Sequence, residues 1–60
     1  MKLRGMDCMF ENGRGTGFVF YNQFDMGNKF KVYSKHGGAF QYQTSFGTCS
    51  EAIEYAKKIH

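Results

Sequence analysis

The side chains best suited to chemistry in this chain are two cysteines and two histidines: Cys8, His36, Cys49 and His60. Thiolates and imidazoles bind zinc, but structural zinc sites normally place ligands in closely spaced pairs, and these four stand singly. Two cysteines permit one disulfide, whereas secreted disulfide scaffolds of this length normally carry more. We therefore expect no metal, no cofactor, and two free thiols in a reducing cytoplasm.

The acidic residues add no catalytic arrangement. The five carboxylates form no recognisable general acid and base pair, and no Ser-His-Asp arrangement is suggested. Cys49 is the best candidate nucleophile, because it follows the predicted helix cap Thr48 and helix N-termini favour anions. A buried structural cysteine is the more common occupant of such a position. Because sixty residues leave little room for a pocket, we expect no enzyme.

Length and composition indicate one small domain, residues 1–60. A chain this short buries only about 60% of the surface that its unfolded form exposes, so each large side chain matters. Seven Phe and four Tyr supply most of that apolar mass, and eight glycines without a proline suit strands joined by tight turns. No apolar run has the length of a signal peptide or a membrane span, so we expect no membrane partner.

Three stretches have the pattern of β-strands. Aromatic and branched residues predict strands over 16–24, 29–35 and 39–46. Turn-forming residues separate them, with Asp, Gly and Asn at 25–28 and His-Gly-Gly at 36–38. Two short consecutive turns between three strands predict an antiparallel meander.

The end of the chain is predicted to be helical over 49–59. Thr48 and Glu51 fit a capping box, in which a hydroxyl and a carboxylate satisfy the free N–H groups of the first turn. In residues 1–12, the spacing of Leu3, Met6 and Phe10 hints at a helical turn that the glycines oppose, so we expect a short N-terminal arm. The predicted fold is α+β: a three-stranded antiparallel sheet packed on one C-terminal helix, in the order β-β-β-α.

One helix can cover only one face of this sheet. Period-two alternation directs Phe30, Val32, Phe40 and Tyr42 towards the helix. On the first strand both alternating sets are apolar, and we expect the set with Phe18 and Phe20 to face the helix. The predicted partner-binding surface is the outward set together with the loop residue Arg14: Tyr21, Lys31, Tyr33, Lys35, Gln41 and Gln43.

This outward set has two interpretations. Tyr rings stack on bases, Lys neutralises phosphates, and Gln carries a donor and an acceptor for base edges. The same residue types are also ordinary occupants of a solvated strand face, where Lys discourages aggregation through the sheet edge. Both interpretations remain open from the sequence.

One octamer carries a family resemblance. Residues 14–21, Arg-Gly-Thr-Gly-Phe-Val-Phe-Tyr, resemble the ribonucleoprotein octamer of RNA-recognition motifs. Thr16 is the position that departs, because the family places a stacking aromatic residue there. RNA-recognition motifs are also longer, have two helices and carry the octamer on the third strand. The resemblance implies that Phe18 and Phe20 lie on the open face, contrary to the expectation from packing.

Two functions follow from this interpretation. In the first, the chain is a small accessory or inhibitor protein, of the kind that phages and mobile elements encode. It docks its sheet face or a strand edge on a partner protein, or on a second copy to form a homodimer. A formal net charge of +3 favours this function, because dedicated nucleic-acid binders show denser Lys and Arg clusters.

The alternative is a nucleic-acid-binding module. Tyr21 and Tyr33 would stack on bases, while the basic residues contact phosphates: Arg14, Lys29, Lys31 and Lys35. The predicted layout is similar to that of the plant ethylene-responsive and integrase N-terminal DNA-binding domains, which lay a sheet face into the major groove. The arginine- and tryptophan-rich strands of the ethylene-responsive group are missing here.

Overall fold

A computed structural model describes all residues, 1–60, as one sheet of five antiparallel strands with one C-terminal helix. The strands follow one another in space as in the chain: β1 (Lys2–Leu3), β2 (Met6–Glu11), β3 (Gly17–Tyr21), β4 (Phe30–His36) and β5 (Ala39–Phe46). The helix is α1 (Cys49–Lys57). The predicted three-stranded sheet is wrong, because the expected N-terminal arm contributes two further strands and the sheet curls into a half-barrel.

The N-terminal hairpin turns at Arg4 and Gly5, which both adopt positive φ, 52° and 82°. This is the backbone of a two-residue hairpin turn, whose twist matches that of the flanking strands. Gly5, which disfavours a helix in this segment, is therefore a turn residue. Burial alternates along β2 from Met6 to Glu11, as in a strand, and a register shift between Cys8 and Phe10 places Phe10 on the helix side.

The remaining elements agree with the sequence apart from their ends: β4 is shifted by one residue, and the helix predicted over 49–59 ends at Lys57. The strands predicted over 29–35 and 39–46 are confirmed, and they join at the turn Gly37–Gly38. Thr48 is the N-cap of α1, and its side chain accepts a hydrogen bond from the Glu51 N–H at 3.4 Å. The strand predicted over 16–24 ends earlier, at Tyr21, and residues 22–29 form a loop.

The helix packs on one face of the sheet through small residues. Ala52 and Ala56 of α1 are buried against Val19 and Val32. Gly17 permits this approach, because a Cβ atom placed there would lie 2.5 Å from the Ala56 carbonyl oxygen. The prediction that Val32 faces the helix is confirmed. On β3, however, the helix meets Val19 and not the two phenylalanines.

The opposite face, here called the aromatic face, carries a second core. Its buried residues are Met6, Phe18, Phe20 and Tyr33, with Leu3, Cys8 and Phe40 packed against them. The prediction that Phe18 and Phe20 face the helix is therefore wrong. The curled sheet itself covers this second cluster, together with the N-terminal hairpin, which replaces the predicted arm.

A second register shift changes the orientation of β5. Tyr33 pairs with Tyr42, but the preceding residue of β4, Val32, pairs with Thr44. Gln43 is therefore an extra residue in β5. Phe40 and Tyr42 therefore project from the aromatic face, and Gln41, between them, from the helix side. The prediction that Phe40 and Tyr42 face the helix is wrong for this reason, whereas Phe30, at the far end of the pairing, does pack on the helix side.

Candidate functional site

The residues predicted to form one binding surface are divided between two faces. Lys31, Tyr33 and Lys35 of β4 project from the aromatic face, as their alternation with Val32 requires. Tyr21 lies on the helix side, with its ring centroid 5.3 Å from that of Phe30. Tyr21 and Tyr33 therefore cannot act together as one stacking platform.

Tyr33 is part of the core. Only 6% of it is exposed, and its ring makes edge contacts with Phe20, Phe40 and Tyr42 at centroid distances of 5.5, 6.5 and 5.6 Å. Edge-to-face contacts of this kind stabilise aromatic clusters. The ring of Tyr33 consequently offers no free face to a base.

The two predicted lysines differ in their partners. Lys31 forms an ion pair with Asp25, and its side chain is largely covered. The Lys35 ammonium makes no ion pair and lies over aromatic rings, 5.1 Å from the centroid of Phe40 and 6.0 Å from that of Phe18. This cation–π arrangement keeps a positive charge at the border of the exposed part of the aromatic face.

Arg14 lies in the loop between β2 and β3 and not on the sheet. Within this loop, Asn12 is buried and donates from Nδ2 to the carbonyl oxygens of Ala56 and Ile59, at 3.1 and 3.2 Å. The Thr16 hydroxyl also donates to Ile59, at 3.3 Å. Thr16, the residue that departs from the RNA-recognition pattern, therefore anchors the helix end. A cluster of helix carbonyls is no site for phosphate.

The octamer resemblance correctly implies the orientation of two side chains. Phe18 and Phe20 do lie on the face away from the helix, as the RNA-recognition pattern has them. Both are nevertheless buried, with their centroids 6.2 Å apart and Phe40 packed edge-on against each. They therefore form the floor of a core and not an open stacking surface.

The exposed feature of the sheet is the edge of β5. This eight-residue strand pairs only with β4. The Lys35 N–H donates to the Thr16 carbonyl at 2.8 Å, towards β3, so Lys35 and its β5 partner Phe40 form a non-hydrogen-bonded pair. In an antiparallel ladder the N–H and C=O groups of such a residue point away from its partner strand. By alternation the same holds for Tyr42, so both residues present free backbone groups at the edge.

Side chains flank this edge on both sides. On the aromatic face, Tyr42 is 54% exposed and donates from its hydroxyl to Ser45 Oγ at 3.2 Å. On the helix side lie Gln41 and Gln43, both exposed, and the Gln43 amide donates to Ser34 Oγ at 2.8 Å. The prediction that Gln41 and Gln43 face away from the helix is therefore wrong, although both are exposed. The cause is the same as for Tyr42: the extra residue at Gln43 shifts the register of β5.

A groove continues from the β5 edge along the helix. Its volume is about 370 Å³, and its floor is formed by Phe46 and Tyr55, whose ring centroids are 5.8 Å apart. Glu51, Glu54 and Lys58 line the rim. An added strand at the edge would have side chains over this groove as well as over Tyr42.

Groups that could bind a metal ion are dispersed. No three His, Cys, Asp or Glu side chains lie close enough together to hold one. Cys8 and Cys49 are both unpaired thiols, Cys8 beside the aromatic core and Cys49 at the start of α1. The nine-residue helix falls short of the length and apolarity that a bilayer crossing requires.

Comparison with protein-family models, curated proteins and solved structures returns no match. The interpretation of the site therefore depends on its geometry.

Proposed function

We propose that this chain is a small cytoplasmic, non-enzymatic accessory or inhibitor protein that binds a partner protein by adding a strand to the β5 edge. The observation that supports this function is the pair of free backbone positions at Phe40 and Tyr42, on the longest strand of the sheet. Strand addition supplies main-chain hydrogen bonds for affinity and alternating side-chain contacts for specificity.

The β5 edge lacks the protection that natural edge strands usually carry. Such strands are short or bear lysines, prolines or inward charges that prevent pairing with other chains. The opposite edge follows this rule, because β1 has two residues and one of them is Lys2. In contrast, β5 has eight residues, no charged side chain and no proline, and only its bulge at Gln43 interrupts it. An exposed edge of this kind is suited to a partner strand.

The partner segment is expected to be extended and to alternate in character. Its residues on the aromatic face would contact Tyr42 and the exposed part of Phe40, so apolar or aromatic side chains fit there. Each backbone hydrogen bond contributes about 0.5–1.5 kcal/mol net. Aromatic interface residues supply the larger part of the affinity. A second copy of the chain could provide the same strand, which would give a homodimer through β5.

The nucleic-acid alternative has weaker support from this geometry. Tyr33 is buried, Tyr21 lies on the other face, and Lys31 is neutralised by Asp25. Lys35 and Tyr42 are then the main cationic and aromatic contacts left on the aromatic face. This alternative predicts retention that is lost on nuclease treatment and falls steeply with salt.

The test compares three proteins in a nuclease-treated pull-down. Tyr42→Pro removes an N–H that points away from β4, so the β4–β5 ladder keeps its own bonds while the edge loses a donor. Tyr42→Ala is the matched control, since it removes the ring and keeps the N–H. We expect one partner retained by the wild type, weakened by Tyr42→Ala and lost with Tyr42→Pro.

The outcomes separate the candidate functions. Equal retention by the wild type and Tyr42→Pro would contradict strand addition. Loss of all retained protein on nuclease treatment would favour the nucleic-acid module. Self-association that is sensitive to Tyr42→Pro in sedimentation equilibrium would identify the second copy as the partner.

A further inference from the structure

The loop between β3 and β4, residues 22–29, exposes two large apolar side chains. Phe24 is 81% exposed and Met26 is 97% exposed, more than any other large apolar residue of the chain. Single exposed apolar residues are ordinary on protein surfaces, but contiguous ones mark interaction sites. Two of them within three residues, at the tip of one loop, therefore call for an explanation.

Polar side chains hold the backbone of the loop in place, and neither apolar side chain takes part in these contacts. The Asn22 N–H donates to the Lys29 carbonyl at 2.8 Å and closes the loop, and Asn22 Oδ1 accepts from the Phe24 N–H at 3.1 Å. Asp25 Oδ1 accepts from the Gly27 N–H at 2.8 Å, and the carboxylate also pairs with Lys31. The Lys31 hydrogen bond and then the Gly27 N–H lower the pKa of Asp25. The loop thus fixes its apolar tip by polar contacts.

The tip lies at the same end of the molecule as the end of the β5 edge. Phe30, just after the loop, pairs with Phe46, the last residue of β5. Asn28 Oδ1 lies 3.6 Å from the place that a Cβ atom on Gly47 would occupy. A protein whose strand runs along β5 would therefore meet the loop where β5 ends.

We propose that Phe24 and Met26 are a second anchor for the partner protein and enter an apolar pocket beside its β5-pairing strand. This inference depends on the proposed function, because it places both contacts on one partner. The loop backbone that carries both side chains is already held by hydrogen bonds, so binding need not order it, and large apolar side chains are typical interface anchors. Arg4 lines a small cavity with Phe24, and Lys29 lies at the base of the loop, so the pocket is expected to have an acidic rim.

A protein pocket fits this tip better than a lipid surface does. Even a myristoyl chain gives only marginal membrane binding, and two side chains offer less apolar area. Asp25 lies between them in the sequence; its carboxylate is ionised at neutral pH, and the Lys31 hydrogen bond and the Gly27 N–H lower its pKa further. Arg4 and Lys29 supply only two cations beside the tip, fewer than a basic membrane-binding segment carries.

The first experiment measures the affinity of Phe24→Ser and Met26→Ser for the partner that the wild type retains in the nuclease-treated pull-down. We expect each to weaken binding at least about tenfold, as hot-spot residues do, and Phe24→Leu to retain most of it. The unfolding midpoint should not change, because both side chains are exposed. Met9→Ser, which removes an exposed methionine from β2, is the control. Unchanged affinity of the two loop variants would overturn the proposal.

The second experiment needs no purified partner. A benzoylphenylalanine cross-linker at position 24 in cell extract should form an adduct with the same protein, and one at Met9 should not. Absence of an adduct at position 24 would overturn the inference. Because the chain has no tryptophan, Phe24→Trp is a single fluorophore, and a blue shift with phosphatidylcholine–phosphatidylglycerol vesicles, without a protein adduct, would favour a membrane instead.

The two proposals can fail separately. If Tyr42→Pro leaves binding intact while Phe24→Ser abolishes it, strand addition is wrong and the loop is the primary contact. If Tyr42→Pro abolishes binding while the loop variants bind normally, strand addition at β5 is supported and the proposal of a second anchor is wrong.

Discussion

The side chain of Asn12 joins the loop between β2 and β3 to the end of the helix. Helix C-termini leave carbonyl oxygens without intrahelical partners, and these must be satisfied by other donors. Here the Nδ2 group of Asn12 reaches Ala56 and Ile59, while its Oδ1 accepts from the Thr16 N–H at 2.9 Å. One amide therefore uses both its donor and its acceptor in fixed directions, and no other residue type of this size offers that combination.

Asn12→Asp is predicted to destabilise the fold more than its small change in shape suggests. The substitution places a second acceptor against the Ala56 and Ile59 carbonyls and removes their Nδ2 donor, so that Ile59 keeps only the Thr16 hydroxyl and Ala56 only backbone N–H groups. Loss of a buried partner costs about 1–3 kcal/mol, and more for a charged group. Urea unfolding followed by circular dichroism measures the change, with Asn28→Asp at an exposed loop position as the control. A similar loss of stability in both variants would contradict the assigned role.

Among the strands and the helix, the sequence predicted those elements in which residue type, alternation and turn or cap residues all indicate the same structure. The β4–β5 hairpin has clean alternation on both sides of Gly37–Gly38, and α1 has a capping residue at Thr48. The N-terminal hairpin was not predictable in the same way, because β1 has only two residues and Met9, apolar but exposed, obscures the alternation of β2 in the sequence. A strand of two residues exists only because a neighbour pairs with it.

The candidate site shows the same division. The exposure of Gln41 and Gln43 follows from their polar residue type, but the face on which Gln41 and Tyr42 lie depends on a bulge at Gln43 that shifts the register. Phe24 was assigned to a strand since its residue type favours one. Its exposure follows from the loop contacts of Asn22 and Asp25, which compete locally with strand pairing.

The contact between α1 and the sheet gives a prediction about Gly17. Gly17→Ala would place a Cβ atom 2.5 Å from the Ala56 carbonyl oxygen and 2.8 Å from Asn12 Nδ2. Because the first of these is backbone, the helix end must move, and overpacking of this kind costs about 1–3 kcal/mol. Gly13→Ala is the matched control, since a Cβ there meets nothing within 4 Å and we expect almost no change. Equal unfolding midpoints for the two variants would show that the close approach is unimportant.

The whole molecule is a curled sheet between two small clusters of apolar side chains. The helix-side cluster contains Val19, Val32, Ala52 and Ala56, and the aromatic cluster contains Met6, Phe18, Phe20 and Tyr33. Neither cluster is large enough to stabilise a domain independently at this chain length. Strands β3 and β4 contribute side chains to both, so loss of either cluster removes the support of the other.

This shared framework predicts that the two clusters unfold together. Met6→Ala on the aromatic face and Val32→Ala on the helix side should each destabilise the protein by about 2 kcal/mol. In each variant the helix signal at 222 nm and the tyrosine fluorescence, to which buried Tyr33 contributes, should give one common midpoint. If Met6→Ala shifted the fluorescence midpoint and left the helix midpoint unchanged, the clusters would be separate folding units. The N-terminal hairpin would then be an accessory to a three-stranded domain, contrary to the joint packing of β3 and β4.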